Sequence, residues 1–248
     1  VDYLKKVSKS KLKKSDYELI HQYILEMKVM PSMRLLWTAG KPAHLNNVAI
    51  YNCSTVPIDS LSSFAEVYFL LMSGTGVGID VSKKYVEKIP KVKKLNGDKQ
   101  KIVFDDSKEG WAMGTLEVCQ AMWEGCDVEW DLSKLRPQGA RLKTFGGRSS
   151  GPGPLDETLH FIKHMIEAHR DRKLSSINAF DIVTKIANSV VVGGVRRSSI
   201  ITLSDLHDNG MRDAKQGQFW VTNAHRAMSN NSAIYDSKPN SIEFMKEW

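Results

Sequence analysis

Cys53 stands between Asn52 and Ser54, two polar neighbours, where a strand-like run meets a loop. A structural cysteine more often sits inside an unbroken apolar run, so this setting leaves a thiol accessible enough to react. Downstream, "SGTGVGID" places Gly74, Gly76 and Gly78 within five residues. The spacing does not make a dinucleotide fingerprint, because the third glycine falls one residue early and the order is helix then strand. No Gly-Lys-Ser/Thr follows, so it is not a P-loop either. Two readings stay open: a tight turn that ends a helix, or backbone left bare so that a ligand can approach.

Two further stretches suit phosphate contacts. "TFGGRSSGPGPL", Thr144 to Leu155, is a long loop whose glycines, serines and arginine offer backbone N–H groups and a guanidinium. "NSVVVGGVRRSS", Asn188 to Ser199, sets Arg196 and Arg197 after a double glycine at the end of an apolar helix. Those arginines could hold a phosphate or simply cap the helix's negative end. His160, His164 and His169 share one predicted helix, but the glutamate of a zinc-protease motif is missing and the core face lies elsewhere, so they read as surface histidines. Cys119 and Cys126 flank the end of a Met- and Trp-containing helix and read as small buried hydrophobes. No metal site is expected.

The elements that must position these groups follow from capping and periodicity. Ser15-Asp16-Tyr17-Glu18 opens a helix that Pro31 stops, and Leu35–Trp37 and Val48–Tyr51 read as short buried strands or loop-anchored segments. Ser63-Phe64-Ala65-Glu66 opens a second helix ending at Gly74, and Val77 to Val81 is a strand. Residues 82–105 are Lys-rich and read as loop with a short strand at Lys101–Phe104. Asp106-Ser107-Lys108-Glu109 opens a third helix that ends near Gly125, Val128 to Leu132 is a strand, and the segment after Leu135, with five glycines and three prolines, a loop. Leu155–Ala168 and Ala179–Val191 are helical, and Ser199–Leu203 is a strand. Strands alternating with helices predict an α/β fold.

Composition sets outer bounds. The chain has 248 residues, 42% apolar and 25% charged, values of an ordinary globular protein with a sizeable core. The net charge of +7 comes largely from lysine runs at 5–14 and 83–94, which read first as solvated faces and alternatively as a polyanion surface. Three cysteines without a CxxC pair argue against a disulfide scaffold and a structural zinc site. With no run of 18 apolar residues and no signal peptide, the expectation is a cytoplasmic protein without a membrane partner. The missing initiator Met and the helix opening near Ser241 suggest a piece of a longer chain.

Taken together, "MPSMRLLWTAG", "NNVAIYNCSTV", "MSGTGVGIDV", "DSKEGWAMG", "LKTFGGRSSGPGPL", "VVVGGVRRSS" and "NAHRAMSNNSAIY" resemble adenosylcobalamin-dependent (class II) ribonucleotide reductases, most closely the monomeric ribonucleoside-triphosphate type. The resemblance implies roughly the first half of a ten-stranded α/β barrel over 31–248, incomplete at its C-terminal side, behind a helical segment at 1–30. It implies reduction of ribonucleoside triphosphates, or diphosphates, by a cobalamin-initiated thiyl radical. Two cysteines serve as reductant and a thioredoxin-like protein regenerates them. On this resemblance Cys53 matches the first member of the reducing pair, and Thr38, Ser54, Gly76 and Gly78 line the substrate. Lys143, Thr144, Gly146, Gly147, Arg148 and Ser149 match the loop that couples a deoxynucleotide effector to substrate choice. The monomeric type binds its effector within one chain; the dimeric type builds that site across subunits. Asn230, Asn231 and Ser232 also match, without an assigned role. The radical cysteine, the second reducing cysteine and the catalytic glutamate have no counterpart here, so adenosylcobalamin would be bound mainly outside this chain and the segment alone would be inactive. Two other readings stand beside this one: a non-catalytic nucleotide-binding module, and a nucleic-acid-binding protein whose affinity falls steeply with salt.

Overall fold

The computed structural model describes residues 2–7, 11–141, 148–191 and 199–247. The chain divides into two compact units, Val1–Asn52 and Cys53–Trp248.

The first unit is helical: α1 (Asp2–Val7), α2 (Lys14–Leu25), α3 (Met33–Thr38) and α4 (Lys41–Leu45), then a 3-10 turn at Asn47–Ile50. Both short runs expected as strands or anchored loops are thus helical. Polar caps decide this. The Ser32 Oγ accepts from the Leu35 N–H at 3.1 Å, and the Asn46 Oδ1 accepts from the Val48 N–H at 3.1 Å, so each backbone is turned inward at its start. Three or four apolar residues cannot by themselves distinguish strand from helix. Helix α2 starts one residue before Ser15, where the Lys13 N–H donates to the Asp16 carboxylate at 2.8 Å. It ends well before Pro31, because Met27 takes a left-handed φ of 54°.

The second unit is α/β. It holds β1 (Cys53–Pro57), α5 (Leu61–Met72), β2 (Gly76–Asp80), α6 (Lys83–Val86), β3 (Lys99–Val103), α7 (Lys108–Trp123) and β4 (Asp127–Asp131). Then follow α8 (Gly153–Ala168), α9 (Ser176–Val191), β5 (Ile200–Asp205), α10 (Asn209–Arg212), α11 (Phe219–Thr222), β6 (Ser229–Ile234) and α12 (Ser241–Glu247). The strands form a four-stranded parallel sheet in the order β1-β2-β5-β6 and a two-stranded parallel sheet β3-β4. Parallel neighbours need long crossovers, which α5 and α7 supply for β1–β2 and β3–β4. Helix α5 begins at Leu61 after Ser60, two residues before the predicted cap, and Ser63 is buried inside its first turn. Helix α7 is capped by Ser107, one residue after the expected Asp106, with the Ser107 Oγ accepting from the Gly110 N–H at 2.9 Å.

The core lies between the sheet and α5, α7, α8 and α9. It contains Phe64, Tyr68 and Leu71 from α5, Val77 and Ile79 from β2, Met122 and Trp123 from α7, and Phe180, Val183 and Ile186 from α9. Two polar atoms enter it with partners. The Tyr68 hydroxyl pairs with the Ser189 Oγ at 2.8 Å, and the Trp123 indole N–H donates to the Pro90 carbonyl at 2.8 Å. Burial raises the Tyr68 pKa, although its bond to Ser189 works against that. Deep in the unit, Asp181 on α9 receives both the Nε and Nη2 of Arg226, at 2.7 and 2.8 Å, and stands 3.1 Å from the His225 Nε2. This cluster ties α9 to the 3-10 turn at Ala224–Met228 that leads into β6.

Among the described residues, no helix is long and apolar enough to cross a membrane.

Candidate nucleotide-facing sheet surface

Side chains alternate across a strand, so each strand of the four-stranded sheet presents two sets of residues. On β1, Val56 is buried while Cys53, Thr55 and Pro57 are exposed. On β2, Val77 and Ile79 are buried; Gly76, Gly78 and Asp80 alternate with them. The parallel register sets Cys53 beside Gly76, Thr55 beside Gly78, and Gly78 beside Ile201 of β5. Ile201 in turn pairs with Asn230 of β6, and Leu203 with Ser232. One face of the sheet is therefore covered by helices. The other carries Cys53, Thr55, two bare glycines, Ile201, Asn230 and Ser232. Ile201 is 49% exposed. A parallel sheet usually has both faces covered; among the described residues of this unit, that face is left open.

The glycine segment divides by role. Gly74 has a φ of +80°, the Gly74 N–H donates to the Leu71 carbonyl at 2.8 Å, and the Thr75 N–H donates to the Leu70 carbonyl at 3.1 Å. These two bonds are the Schellman closure of a helix end, which requires a left-handed residue. Gly74 therefore serves the turn. Gly76 and Gly78 lie in extended strand, where any residue fits the backbone, so their lack of a side chain is a matter of space. A Cβ on Gly78 would lie 3.3 Å from the Thr55 Cγ2 and 3.7 Å from the Ser54 carbonyl oxygen.

Cys53 is exposed, Cys126 is half-buried, and Cys119 is buried with its pKa pushed up to about 12 by burial. A thiol held protonated is a poor nucleophile, which leaves Cys119 unsuited to react. Ser54, the neighbour of Cys53, points the other way: alternation turns it to the covered side with Val56, and its buried Oγ has no hydrogen-bond partner among the described residues. Thr38 belongs to the first unit, where it is buried and its hydroxyl donates to the Arg34 carbonyl at 2.6 Å.

Of the expected loop, Lys143, Thr144, Gly146 and Gly147 lie outside the described residues, as do Arg196 and Arg197. Arg148 and Ser149 form the stem. The Gly139 N–H donates to the Ser149 carbonyl at 2.8 Å and the Ser149 N–H to the Ala140 carbonyl at 2.7 Å, while Arg141 and Arg148 bridge antiparallel. The Arg148 Nη1 donates to the Gly139 carbonyl at 2.9 Å. His160 and His164 are exposed and His169 half-buried, and no group of three metal-ligating side chains converges among the described residues.

Sequence reasoning missed three contributors. The Asp181–Arg226 pair spans 45 residues, the Arg136–Asp106 pair spans 30, and the Lys108 Nζ reaches the Ser73 Oγ, 35 residues away, at 3.5 Å. Contacts between residues so far apart leave no periodic signal; the local motif around Arg136, "RPQGAR", reads only as loop.

A family model described as the B12-dependent ribonucleotide reductase insertion domain matches residues 80–166. An adenosylcobalamin-dependent ribonucleoside-triphosphate reductase of Euglena gracilis is 33% identical over 84% of this chain and 30% of its own length. A putative enzyme of the same name from Mycobacterium phage D29 is 29% identical over 80% of this chain and 35% of its own. The crystal structure of a B12-dependent (class II) ribonucleotide reductase superposes with a TM-score of 0.77 at 23% identity, over 88% of this chain and 38% of that one, and shows a shared fold. The chain thus spans well under half the length of these relatives.

Proposed function

Because this chain is a partial-length relative of the adenosylcobalamin-dependent (class II) ribonucleotide reductases, we propose that it forms the substrate-facing sheet of such an enzyme and contributes one of its two reducing thiols. The observation that carries the reading is the register of Cys53 against Gly76: an exposed thiol beside strand backbone without side chains, on the open face of a parallel sheet. On this reading the sheet is part of the reductase barrel, and the open face is its interior.

The chemistry assigned to Cys53 is a two-electron reduction. The ribose loses its 2′ hydroxyl as water and gains hydrogen at that carbon. Cys53 and a second cysteine outside this segment give up two electrons and two protons and join as a disulfide, which a thioredoxin-like dithiol reopens by exchange. Cys119 is a poor second thiol, since it lies sealed in the core. Bare backbone at Gly76 and Gly78 admits the sugar, and Thr55 offers a hydroxyl on the same face. Ser54 faces away, so its contribution to that face is main-chain. Thr38 is proposed to contact substrate on the strength of the resemblance alone. The same holds for Lys143, Thr144, Gly146, Gly147, Arg148 and Ser149 as the effector loop, and for Arg196 and Arg197 as phosphate contacts. The monomeric type, in which a deoxynucleotide effector binds within one chain, likewise rests on the resemblance.

Adenosylcobalamin finds no seat that the described residues define. The open face offers a thiol, a hydroxyl and two glycines. The cofactor's binding falls to the remainder of a full-length reductase.

The reading is tested on the chain itself by alkylation with iodoacetamide at pH 8. Cys53 should react first and Cys119 only on unfolding. A ribonucleoside triphosphate at saturation should slow Cys53 by about tenfold or more, the scale of a site occupied about nine-tenths of the time or better. Random-sequence DNA should not protect it. Protection by DNA that vanishes with salt would favour the nucleic-acid reading instead.

A further inference from the structure

The register of the four-stranded sheet draws one row straight across its open face. Thr55 of β1 lies beside Gly78 of β2, Gly78 beside Ile201 of β5, and Ile201 beside Asn230 of β6. Directly paired residues point to the same side of a sheet. The row is therefore a strip with polar ends and a low, apolar middle. Neighbouring strands lie about 4.8 Å apart, so the strip runs roughly 14 Å from Thr55 to Asn230. Cys53 and Gly76 form the next row back, toward the start of their strands.

The far end of the strip breaks a local rule. Asn230 and Asn231 sit side by side inside β6, although asparagine is depleted in strands. Native proteins break such rules at functional sites. Asn230 is exposed. The Ser229 Oγ donates to the Asn230 main-chain carbonyl at 3.1 Å, and among the described residues the carboxamide itself makes no hydrogen bond. Ile201 beside it is 49% exposed, an apolar surface on which a flat ring can lie.

Charge orients a ligand on this face. Cys53, Thr55, Gly76, Gly78, Ile201 and Asn230 are all uncharged side chains or none. Beyond them, on the same face, come Asp80 at the end of β2 and Asp205 at the end of β5. Both carboxylates are fixed in place. The Asp80 Oδ1 accepts from the Ser82 N–H at 2.9 Å, and the Asp205 Oδ2 accepts from the Lys83 N–H at 2.7 Å. Like charge repels a triphosphate from that end. The strip itself suits the uncharged part of a nucleotide, its sugar and base.

We propose that Asn230 is a substrate-binding residue that hydrogen-bonds the edge of the nucleotide's base, with Ile201 beneath the ring. The inference rests on the reading of Cys53 as the thiol beside the ribose. With the sugar over Gly76 and Gly78, the base falls one strand further on, over Ile201. Its edge then falls at Asn230, on the strand after that. A carboxamide both donates and accepts, so by turning over it suits the amino group of cytosine or the carbonyl of uracil.

The test measures, in the 248-residue chain, the ligand concentration that half-protects Cys53 from iodoacetamide. The ligands are cytidine triphosphate, uridine triphosphate and ribose 5-triphosphate, which has no base. In the unaltered chain the two nucleotides should protect at similar concentrations. Asn230→Ala should raise both by about fivefold, the scale of one hydrogen bond, and leave ribose 5-triphosphate unchanged. Asn230→Asp, which can only accept, should favour cytidine over uridine triphosphate by at least about fivefold. Ile201→Ala should weaken both nucleotides by a common factor and spare ribose 5-triphosphate. If Asn230→Ala weakens all three ligands alike, the residue acts through the sheet and the inference is wrong. If it weakens none while the nucleotides still protect Cys53, the inference is wrong and the Cys53 reading stands. If no ligand protects Cys53 in the unaltered chain, that reading fails and the inference with it.

Discussion

In a full-length reductase carrying this segment, Cys53→Ser is expected to end multiple turnover with a dithiol reductant while leaving nucleotide binding intact. The oxygen of serine fills nearly the same space on the exposed end of β1, so the sheet and the approach past Gly76 are preserved. What is lost is redox chemistry: a hydroxyl cannot close a disulfide, and a lone partner thiol supplies one electron where the reduction needs two. The expected loss is at least about 10³-fold in turnover, comparable with removal of an essential catalytic group. It should appear in kcat, with substrate Kd unchanged. Steady-state assay with thioredoxin or dithiothreitol checks the first, and equilibrium binding the second. Retained turnover would remove Cys53 from the reaction.

The second large effect concerns stability. Asp181→Ala should cost about 3–5 kcal/mol, the usual penalty for stranding one partner of a buried ion pair. Asp181 is 5% exposed, and the Arg226 and His225 side chains are 16% and 10% exposed, so little water reaches the charges left behind. At this chain length each kcal/mol moves the melting temperature by roughly 2–4 °C, which predicts a fall on the order of 10 °C in thermal unfolding. Arg226→Met added to Asp181→Ala should recover part of the loss, because the pair's worth depends on both charges being present. The pH dependence follows from the same geometry. Burial alone would raise the Asp181 pKa, but bonds to Arg226 and His225 outweigh it and hold the carboxyl below its ordinary value. A lowered folded-state pKa gives stability that is fully present above the unfolded value, near 3.9, and is lost as pH falls through the folded one. Acid unfolding of the unaltered chain should therefore steepen below about pH 4, and Asp181→Asn should flatten that limb. A cost under about 1 kcal/mol would show that solvent already screens the cluster.

Much of this fold is legible in the sequence where a signal is local. The box Asp106–Glu109 predicts its helix to within a residue, the cap falling on Ser107, whose hydroxyl three residues from a free N–H is sufficient. The alternation of Val77 and Ile79 with glycines predicts β2 and its two faces. The polar setting of Cys53 predicts its exposure, which the structure bears out. Local signals also mislead where two compete. Leu35–Trp37 looks like a buried strand, yet Ser32 caps it as a helix, and Trp37 is 61% exposed. Gly74 and Gly76 look alike in sequence, but hydrogen bonding shows that one closes a helix and the other clears a strand. The pairing of Cys53 with Gly76, the opposite facing of Ser54, and the Arg136 and Asp181 clusters depend on register and on long-range contact. No spacing along the chain encodes those.

The central claim is that the sulfur of Cys53 delivers an electron to a nucleotide sugar and leaves the reaction bonded to a second sulfur. A prereduced full-length reductase carrying this segment would be given ribonucleoside triphosphate without external reductant, quenched with acid after one turnover, and mapped by mass spectrometry. The account predicts Cys53 in a disulfide with a cysteine outside residues 1–248, in a yield matching the deoxynucleotide formed. Stoichiometric deoxynucleotide with Cys53 still a free thiol would contradict it.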